Sequence, residues 1–231
     1  MPTEIAQDIK QKCINLGFYA CNFPENIGGA GLNHLDFSLV ERELGRGSMA
    51  LTHFFGRPQN ILMACKDEQI EKYLLPAVRG ELMDALAMTE PDAGSDVRGM
   101  KCFAKSEGKD WIVNGTKHFI SGAEHADFVI VFIATGEEKT EKGPKKKITA
   151  FLVDRGTPGF VIRGGYNSVS HKGYKNMILE FDDCLLPKEQ VLGEVDGGFE
   201  VMNTWLYATR LTVAAMSVGR ARRCFDYALN Y

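Results

Sequence analysis

Hydrophobic positions in the first eighty residues recur with a helical period. Ile5, Ile9, Cys13 and Leu16 are spaced by four, four and three residues. This spacing places them on one face of a helix, which Gly17 is expected to end. The pattern predicts a helix that packs on the protein core through this face.

Further helices are predicted before the pattern changes near residue 84. Asn33, with an acidic residue three positions later, is typical of a helix start. Residues 48–55 form a second candidate helix. Residues 67–75 are amphipathic, with Pro76 and Gly80 bracketing the end of the segment. The N-terminal third of the chain is therefore predicted to be helical.

After Gly80, short runs of β-forming residues alternate with turn residues. The polar turn 106–110 predicts a hairpin, and the Asn114-Gly115 dipeptide predicts a second tight turn. Residues 128–133 are uninterruptedly apolar, which is typical of a strand buried on both faces. The basic segment 142–147 is predicted to be a solvated loop rather than an anion site. The predicted strands are residues 84–88, 101–105, 111–114, 117–121, 128–133, 148–153, 159–163 and 177–181.

So many short strands predict a compact sandwich or barrel over about residues 84–193. The helical period then returns, with Phe199, Met202 and Met216 among its apolar positions and Gly219 allowing close approach. This last helix has an apolar face that nothing later in the sequence covers. We therefore expect that the natural protein continues or that another chain buries this end.

Composition narrows the function classes. The chain has 231 residues, 45% of them hydrophobic, and a formal net charge of −3, which gives no electrostatic reason to expect binding to nucleic acid. No stretch approaches the length of a membrane span, and no targeting segment is visible. The six cysteines show neither a metal-ligand spacing nor a redox pair, which favours free thiols in a reducing compartment and no metal site.

The strongest candidate for chemistry is the segment 85–95, which we call the signature segment. An apolar run of strand character leads into Thr89, a proline, Gly94 and Ser95. Backbone and hydroxyl donors in such a loop can converge on one small polar ligand.

The sequence Thr-Glu-Pro-Asp-Ala-Gly-Ser-Asp at 89–96 resembles the T-E-P-x-A-G-S-D signature of the acyl-CoA dehydrogenase family. Other elements of that family occur in the same order. They are Pro-Glu-Asn-Ile-Gly-Gly-Ala-Gly at 24–31, Glu-Gln at 68–69, Asn-Gly-x-Lys-x-Phe-Ile-Ser at 114–121, Phe-Asp-Asp at 181–183 and Gly-Gly-Phe at 197–199 before Arg210. The resemblance spans nearly the whole chain.

The resemblance implies an α+β fold that agrees with the pattern described above. The expected divisions are an N-terminal helical domain at residues 1–83, a central flavin-facing β-barrel or sandwich domain at 84–195, and the incomplete start of a C-terminal helical domain at 196–231.

By resemblance, the cofactor is FAD and the substrate is an acyl-CoA. The segment 86–95 is expected to lie along the flavin, with the backbone at Met88 and the hydroxyl of Thr89 near N5. Ser95 is expected where FAD and CoA meet, and Phe119, Ile120 and Ser121 match an element that contacts the flavin. The complete set of expected cofactor residues is Leu86, Met88, Thr89, Gly94, Ser95, Phe119, Ile120 and Ser121. Ser95, Tyr207 and Arg210 match positions that contact substrate, although a helix-surface ion pair is an equal alternative for Arg210.

In most relatives the base that removes the α-proton is a glutamate in the later helical domain, beyond Tyr231 in this numbering. A family branch that places it one residue before the arginine has Thr209 here, and Glu90 is expected to be structural. The resemblance implies an electron-transfer flavoprotein as acceptor, a homodimer or homotetramer, and a bacterial cytoplasm or mitochondrial matrix. Two alternatives are an acyl-CoA oxidase-like relative and a non-catalytic fragment that binds a partner.

Overall fold

The structure is a computed structural model that describes residues 3–141, 143–169, 173 and 175–231. Its N-terminal part is helical, as predicted. It contains four α-helices and, between them, short segments of 3₁₀-helix and one π-helical turn. The α-helices are α1 (Thr3–Asn15), α2 (His34–Gly45), α3 (Met49–Thr52) and α4 (Leu75–Arg79), and the helical turns among them are Glu25–Ile27, His53–Phe55, Asn60–Ala64 and Ile70–Leu74. Two more helical turns, Val97–Gly99 and Lys188–Gln190, lie in the central part of the chain.

Helix α1 is present, and Gly17, with φ of +74°, follows its end. Its buried face agrees with the predicted one in part, since Ile9 and Cys13 pack on the core. Cys13 is buried, but Ile5 and Leu16 are 48% and 70% exposed. Among the side chains of α1 whose burial is described, Ala6 is the other buried one. The helix therefore buries only a narrow strip of its surface against the core.

Pro76 does not end the helix before it. The backbone N–H of Leu75 donates to the carbonyl of Ile70, five residues earlier, so the turn is widened just before the proline. The chain then continues as α4, where proline is tolerated because N–H groups in a first helical turn have no intrahelical partner. The end falls at Gly80, whose φ of +76° forms the left-handed cap.

The central part is one eight-stranded sheet. The strand order is β6-β7-β3-β2-β4-β5-β8, and β1 pairs in parallel with β4 outside this path. The strands are β1 (Asp84–Ala87), β2 (Phe103–Glu107), β3 (Asp110–Ser121), β4 (Phe128–Thr140), β5 (Gly143–Asp154), β6 (Phe160–Asn167), β7 (Lys175–Leu186) and β8 (Val191–Leu192). The predicted hairpin at 106–110 is confirmed, since Glu107 pairs with Asp110.

Two local predictions in the sheet are wrong. Asn114 and Gly115 do not form a turn, because β3 runs straight through them with a bulge opposite β7. A Cβ on Gly115 would lie 2.7 Å from the Cα of Cys102, so close packing explains this glycine.

The basic segment is also not a loop. Its described part, 143–147, belongs to β5 and pairs with an acidic stretch of β4. Lys145 forms a salt bridge with Glu138 at 2.9 Å, and Lys146 lies opposite Glu137. Opposite charges on neighbouring strands favour this pairing, and the sequence prediction considered the basic residues without their acidic partners. Lys142 lies outside the described residues.

The sheet has a core on each side. Phe128, Ile130 and Phe132 of β4 face the helices, and Tyr73 meets Phe128 with ring centroids 4.8 Å apart. The alternate residues of β4, which include Val131, face a second core. The predicted burial of β4 on both faces is therefore confirmed.

That second core also contains residues of β3, β6 and β7, which are far from β4 or β5 in strand order. Trp111 of β3 contacts Phe151 of β5, with ring centroids 5.8 Å apart. The sheet therefore curls around its own inner face, as the predicted barrel or sandwich requires.

Helix α5 (Gly198–Asn230) returns across the N-terminal helices. It crosses α2 at two glycines, where added Cβ atoms would lie 1.9 Å from the Arg42 carbonyl oxygen for Gly219 and 2.2 Å from the Met216 carbonyl oxygen for Gly45. The predicted close approach is confirmed. Much of the outer surface of α5 is apolar and exposed, including Phe225, Tyr227 and Leu229. The predicted fold class is confirmed, and the residue bounds of the three domains stay predictions.

Candidate flavin-facing site and the adjoining cavity

A buried ion pair anchors the signature segment. Lys117 of β3 is fully buried, and its Nζ donates to Glu90 Oε1 at 2.7 Å and to the carbonyl of Met88 at 3.1 Å. The backbone N–H groups of Lys101 and Cys102 also donate to the Glu90 carboxylate, at 2.5 Å and 3.1 Å. Glu90 therefore holds the loop to β3 and to the approach of β2, in agreement with the structural role expected for it.

Beyond Glu90 the chain turns tightly. Glu90 and Ala93 exchange both backbone hydrogen bonds, at 2.9 Å and 3.2 Å. Asp96 accepts from the N–H of Arg98, and Arg98 in turn donates to the Lys146 carbonyl and stacks 3.8 Å from the Phe199 ring centroid. The loop is thus fixed at one end to β3 and at the other to β5 and α5.

The loop carries two hydroxyl groups, those of Thr89 and Ser95. Within the described part of the chain, no hydrogen bond is made by the side-chain oxygen of Thr89 or Ser95. Ser95 is exposed and Thr89 half-buried. Gly94 is exposed, and a Cβ there would meet open space, so no contact with the residues that the structure describes requires a glycine. The signature segment therefore holds two hydroxyl groups on a fixed backbone, and both can donate a hydrogen bond to a ligand.

Leu86 and Met88 are partly buried and pack against the core that faces the helices. Ala85 and Ala87 alternate with them and belong to the core inside the curl. The structure therefore places the side chains of Leu86, in β1, and Met88, directly after β1, on the same side as the helices.

Phe119 adopts a conformation that is unusual for an aromatic residue. Its φ is +57°, at a bulge between β3 and β7, and the side chain is 50% exposed. Its ring lies 4.5 Å from that of Tyr166, centroid to centroid. A left-handed backbone costs an L-residue about 1–2 kcal/mol, so a strained and exposed aromatic ring is a feature expected of a ligand site.

The two residues after Phe119 differ in burial. The side chain of Ile120 is buried in the core inside the curl, so it is not available to a ligand. Ser121 is exposed, and its hydroxyl donates to Asn176 Oδ1 at 2.9 Å. The donor expected at Ser121 is therefore engaged within the protein, while its oxygen still accepts hydrogen bonds.

A cavity of about 400 Å³ adjoins this edge of the sheet. It lies between the N-terminal helices and α5, and Ser121 and the start of β1 form part of its wall. A volume of this order accommodates a small-molecule ligand. The lining residues from the N-terminal part are Tyr19, Asn22, Phe37, Glu41, Met49 and residues 56–60, those at the start of β1 are Met83 and Asp84, and those of α5 are Trp205, Ala208, Thr209, Thr212, Val213 and Met216.

Charged groups line the helical end of this cavity. Glu41 of α2 is fully buried, and Arg57 Nη1 donates to its Oε2 at 2.6 Å. Burial raises the pKa of Glu41, and Arg57 opposes that shift. At the start of β1, burial raises the pKa of Asp84 to about 7, although the N–H of Gln59 donates to its carboxylate.

Tyr207 and Arg210, the predicted substrate contacts in α5, do not line this cavity. Tyr207 is 69% exposed, on the face of α5 opposite the cavity, and Arg210 is exposed beside it. The Arg210 guanidinium lies 5.9 Å from the Tyr207 ring centroid and forms no ion pair with any described residue. Thr209, from the same predicted stretch, does line the cavity.

Sequence reasoning missed the charged groups of the cavity. Glu41 follows Phe37 by four residues and therefore shares its helix face, so a charge on an apolar face was the available signal. No local pattern pointed to Arg57 or Asp84, whose partners come from other elements.

The fold combines N-terminal helices, a curled sheet and a long helix, with a cavity between the helices and the start of β1. Models of the acyl-CoA dehydrogenase N-terminal domain and middle domain match residues 2–81 and 85–184. The chain belongs to the acyl-CoA dehydrogenase family, whose members depend on FAD.

Among curated relatives, the chain is 33% identical to human mitochondrial short-chain specific acyl-CoA dehydrogenase, over 96% of this chain and 54% of that protein. It is 33% identical to the caffeyl-CoA reductase–Etf complex subunit CarC of Acetobacterium woodii, over 99% of this chain and 60% of that protein. A probable acyl-CoA dehydrogenase from Mycobacterium abscessus superposes with a TM-score of 0.87 at 29% identity, covering 99% of this chain and 63% of that one. The chain thus spans somewhat more than half the length of these relatives.

Membrane-spanning helices and metal-ligand clusters were also sought among the described residues. The described residues include no helix with the length and apolarity needed to cross a membrane. In the same residues, no three His, Cys, Asp or Glu side chains come together as a metal site would require.

Proposed function

We propose that this chain forms the flavin-facing and thioester-binding part of an FAD-dependent acyl-CoA dehydrogenase. One observation carries the proposal. The signature segment is fixed to the sheet by the Lys117–Glu90 pair, while the hydroxyls of Thr89 and Ser95 make no hydrogen bond to any described residue. A fixed row of unused donors is what a preorganised ligand site needs, because such donors do not reorganise when the ligand arrives.

The residues present fit a flavin. The strained, exposed ring of Phe119 offers an apolar stacking surface, and the neighbouring Tyr166 ring packs against it. Thr89 and Ser95 offer hydroxyl donors to polar atoms, and Leu86 and Met88 give an apolar surface on the helical side. Ser121 offers an acceptor oxygen. FAD, when bound, supplies the acceptor for the hydride that leaves the β-carbon of the acyl group.

The chain's own contribution is position and charge stabilisation. The hydroxyl of Thr89 is placed to stabilise negative charge that develops on a bound ligand, and the helices and α5 exclude water from the acyl group in the cavity. Glu90 does not serve as the base, because its carboxylate is committed to Lys117 and to two backbone N–H groups. We assign the α-proton acceptor to no residue of this chain. Ser95 and Arg210 are proposed to bind the CoA portion.

We further propose an electron-transfer flavoprotein as the electron acceptor, with support from the relative that is a subunit of an Etf complex. The exposed apolar surface of α5 supports assembly with a second copy or with more of the same protein. The five buried cysteines and Cys224 are all free thiols, which supports a reducing compartment such as a bacterial cytoplasm or a mitochondrial matrix.

The experiment uses the full product of the gene, reconstituted with FAD under anaerobic conditions. Addition of saturated acyl-CoAs is expected to bleach the flavin absorbance. Thr89→Val, which removes only the hydroxyl, should slow bleaching by roughly ten- to a hundredfold. Thr116→Val, the same change at a threonine of β3 outside the signature segment, should have no effect. Failure of FAD to bind, or a bound flavin that no acyl-CoA bleaches, would contradict the proposal. Oxygen consumption without an added acceptor would instead identify an oxidase.

A further inference from the structure

We propose that Tyr166 of β6 is a positioning residue, whose ring holds the Phe119 ring in the place where it meets the flavin. This inference rests on the proposed function, in which Phe119 contacts FAD. It goes further by assigning a role to Tyr166, which lies outside the predicted site residues, and by explaining how a strained aromatic residue is kept in its conformation.

The conformation of Phe119 needs support from its surroundings. Its φ of +57° lies in the left-handed region, which is unfavourable for a residue that carries a Cβ. Such a conformation persists where neighbouring contacts enforce it. Burial does not supply that support, because the Phe119 side chain is 50% exposed. The contacts that hold the ring are therefore expected at the surface, among its immediate neighbours.

Two irregularities in neighbouring strand pairs bring Tyr166 to Phe119. The β3–β7 ladder is interrupted around Phe119, and the β6–β7 ladder is interrupted just before Tyr166. Asn176 of β7 pairs with Tyr166 on one side and with Ser121 on the other, so the two bulges lie beside the same short stretch of β7. The ring of Tyr166 thereby meets the ring of Phe119, although β7 runs between their strands.

Gly165 fixes where the backbone of Tyr166 lies. A Cβ on Gly165 would lie 1.8 Å from the carbonyl oxygen of Asn176 and 2.6 Å from the Cα of Met177. No side chain fits in that space, so glycine is what lets β6 approach β7 this closely at the bulge. The backbone next to Tyr166 is thus set by packing against β7, and the Tyr166 ring starts from a fixed position.

Two rings pack on Phe119. The Tyr166 ring lies 4.5 Å from it, centroid to centroid, at an interplanar angle of 39°, and the His118 ring lies 4.2 Å from it. The Tyr166 separation is within the range of favourable aromatic pairs. His118 is the sequence neighbour of Phe119, and its N–H donates to the Thr89 carbonyl at 2.9 Å, which ties the cluster to the signature segment. Tyr166 is therefore the ring that holds Phe119 from a different strand.

The cluster stays open to a ligand. Tyr166 is 41% exposed, and Phe119 is exposed to a similar extent. A ring that its neighbour already holds needs no reordering when the flavin arrives, and preorganisation of this kind strengthens binding. Without the Tyr166 ring, the Phe119 ring would have to be ordered at the binding step, so FAD affinity should fall. The hydroxyl of Tyr166 has no part in this role, so phenylalanine should replace tyrosine there.

The test measures FAD affinity by fluorescence titration of the full gene product after removal of its flavin. Tyr166→Leu removes the ring and is expected to weaken FAD binding by about three- to tenfold, as loss of one aromatic pair should. Tyr166→Phe keeps the ring and should bind FAD within about twofold of the wild type. The matched control is Phe18→Leu, at an aromatic residue that is also 41% exposed and packs on another ring, that of Phe55. Its Kd for FAD should be unchanged.

A double-mutant cycle distinguishes positioning from direct contact. If Tyr166 acts through Phe119, the variant with both Phe119→Leu and Tyr166→Leu should bind FAD as weakly as Phe119→Leu alone, because the ring to be held is already absent. Additive losses would overturn the positioning role, as would an unchanged Kd for Tyr166→Leu or an equal loss for Tyr166→Phe. Those outcomes leave the proposed function standing, whereas failure of the wild type to bind FAD would overturn both. Melting curves verify that each variant is folded, and Tyr166→Met gives the same comparison if Tyr166→Leu does not fold.

Discussion

Replacing Lys117 tests whether the buried ion pair fixes the signature segment. Lys117→Met keeps the length of the side chain but leaves the Glu90 carboxylate, 3% exposed, without its cation. Removing one partner of a buried pair typically costs 3–5 kcal/mol. The backbone N–H groups of Lys101 and Cys102 still bind the carboxylate, so we expect the lower end, about 3 kcal/mol. In a domain of this size, that corresponds to a decrease of roughly 6–12 °C in Tm.

A double-mutant cycle isolates the contribution of the pair. Glu90→Gln keeps an acceptor for the two backbone N–H groups and removes the charge. If each single change leaves one buried charge unpaired, the double variant should be about 2 kcal/mol more stable than the sum of the single effects predicts. Urea unfolding followed by circular dichroism measures all four proteins.

The exposed pair provides the control. Lys101→Met breaks a salt bridge to Asp92 in the same loop, and the unfolding midpoint should stay the same within error. A loss below 1 kcal/mol for Lys117→Met, or additive single effects, would refute the idea that this pair anchors the segment.

Three other changes give further predictions. Because burial raises the pKa of Asp84 from 3.8 to about 7, the wild type should lose stability as pH rises from about 4 to 7. Asp84→Asn removes this loss, so the variant should be more stable than the wild type by about 1–3 kcal/mol at pH 8 and no more stable at pH 4. Urea unfolding at both pH values measures the difference. An equal difference at pH 4 and pH 8 would contradict the assigned cause. Gly219→Ala places a Cβ 1.9 Å from the Arg42 carbonyl oxygen, so it should destabilise the protein by about 1–3 kcal/mol, whereas Val218→Ala, at an exposed position, should stay within about 0.5 kcal/mol in the same assay. Phe119→Gly relieves the left-handed backbone and should leave Tm within a few degrees of the wild type while weakening FAD binding in a fluorescence titration; a large loss of Tm with unchanged FAD affinity would show that the ring is structural.

The sequence predicted the element types well because the hydrophobic periods are local. The helical period of α1 and the continuous apolar run of β4 each need only their own residues to be recognised. Asn33 was identified correctly as a helix start, and its side chain does accept from the N–H groups of Leu35 and Asp36.

The errors arose where the deciding partner is distant in sequence. The lysines of β5 were assigned to a loop because their acidic partners lie on β4, and Gly115 was assigned to a turn because the constraint on it is the backbone at Cys102. The same holds for the cavity, where Arg57 meets Glu41 across 16 residues and Asp84 meets Gln59 across 25. Sequence periodicity carries no information on such pairings, so the charged groups around the cavity could be found only from the fold, and the site located by the family signature stays a prediction.

These distant pairings also separate two roles within the site. Lys117, Glu90 and Arg98 make most of their contacts inside the protein, and they fix where the loop lies. Thr89 and Ser95 make no described side-chain hydrogen bonds, so their exchange should alter ligand binding more than stability. Lys117→Met should therefore lower stability and FAD affinity together, whereas Thr89→Val should lower only the function. If Thr89→Val reduced Tm as much as Lys117→Met does, the hydroxyl would belong to the framework of the loop and the proposed division of roles would be wrong.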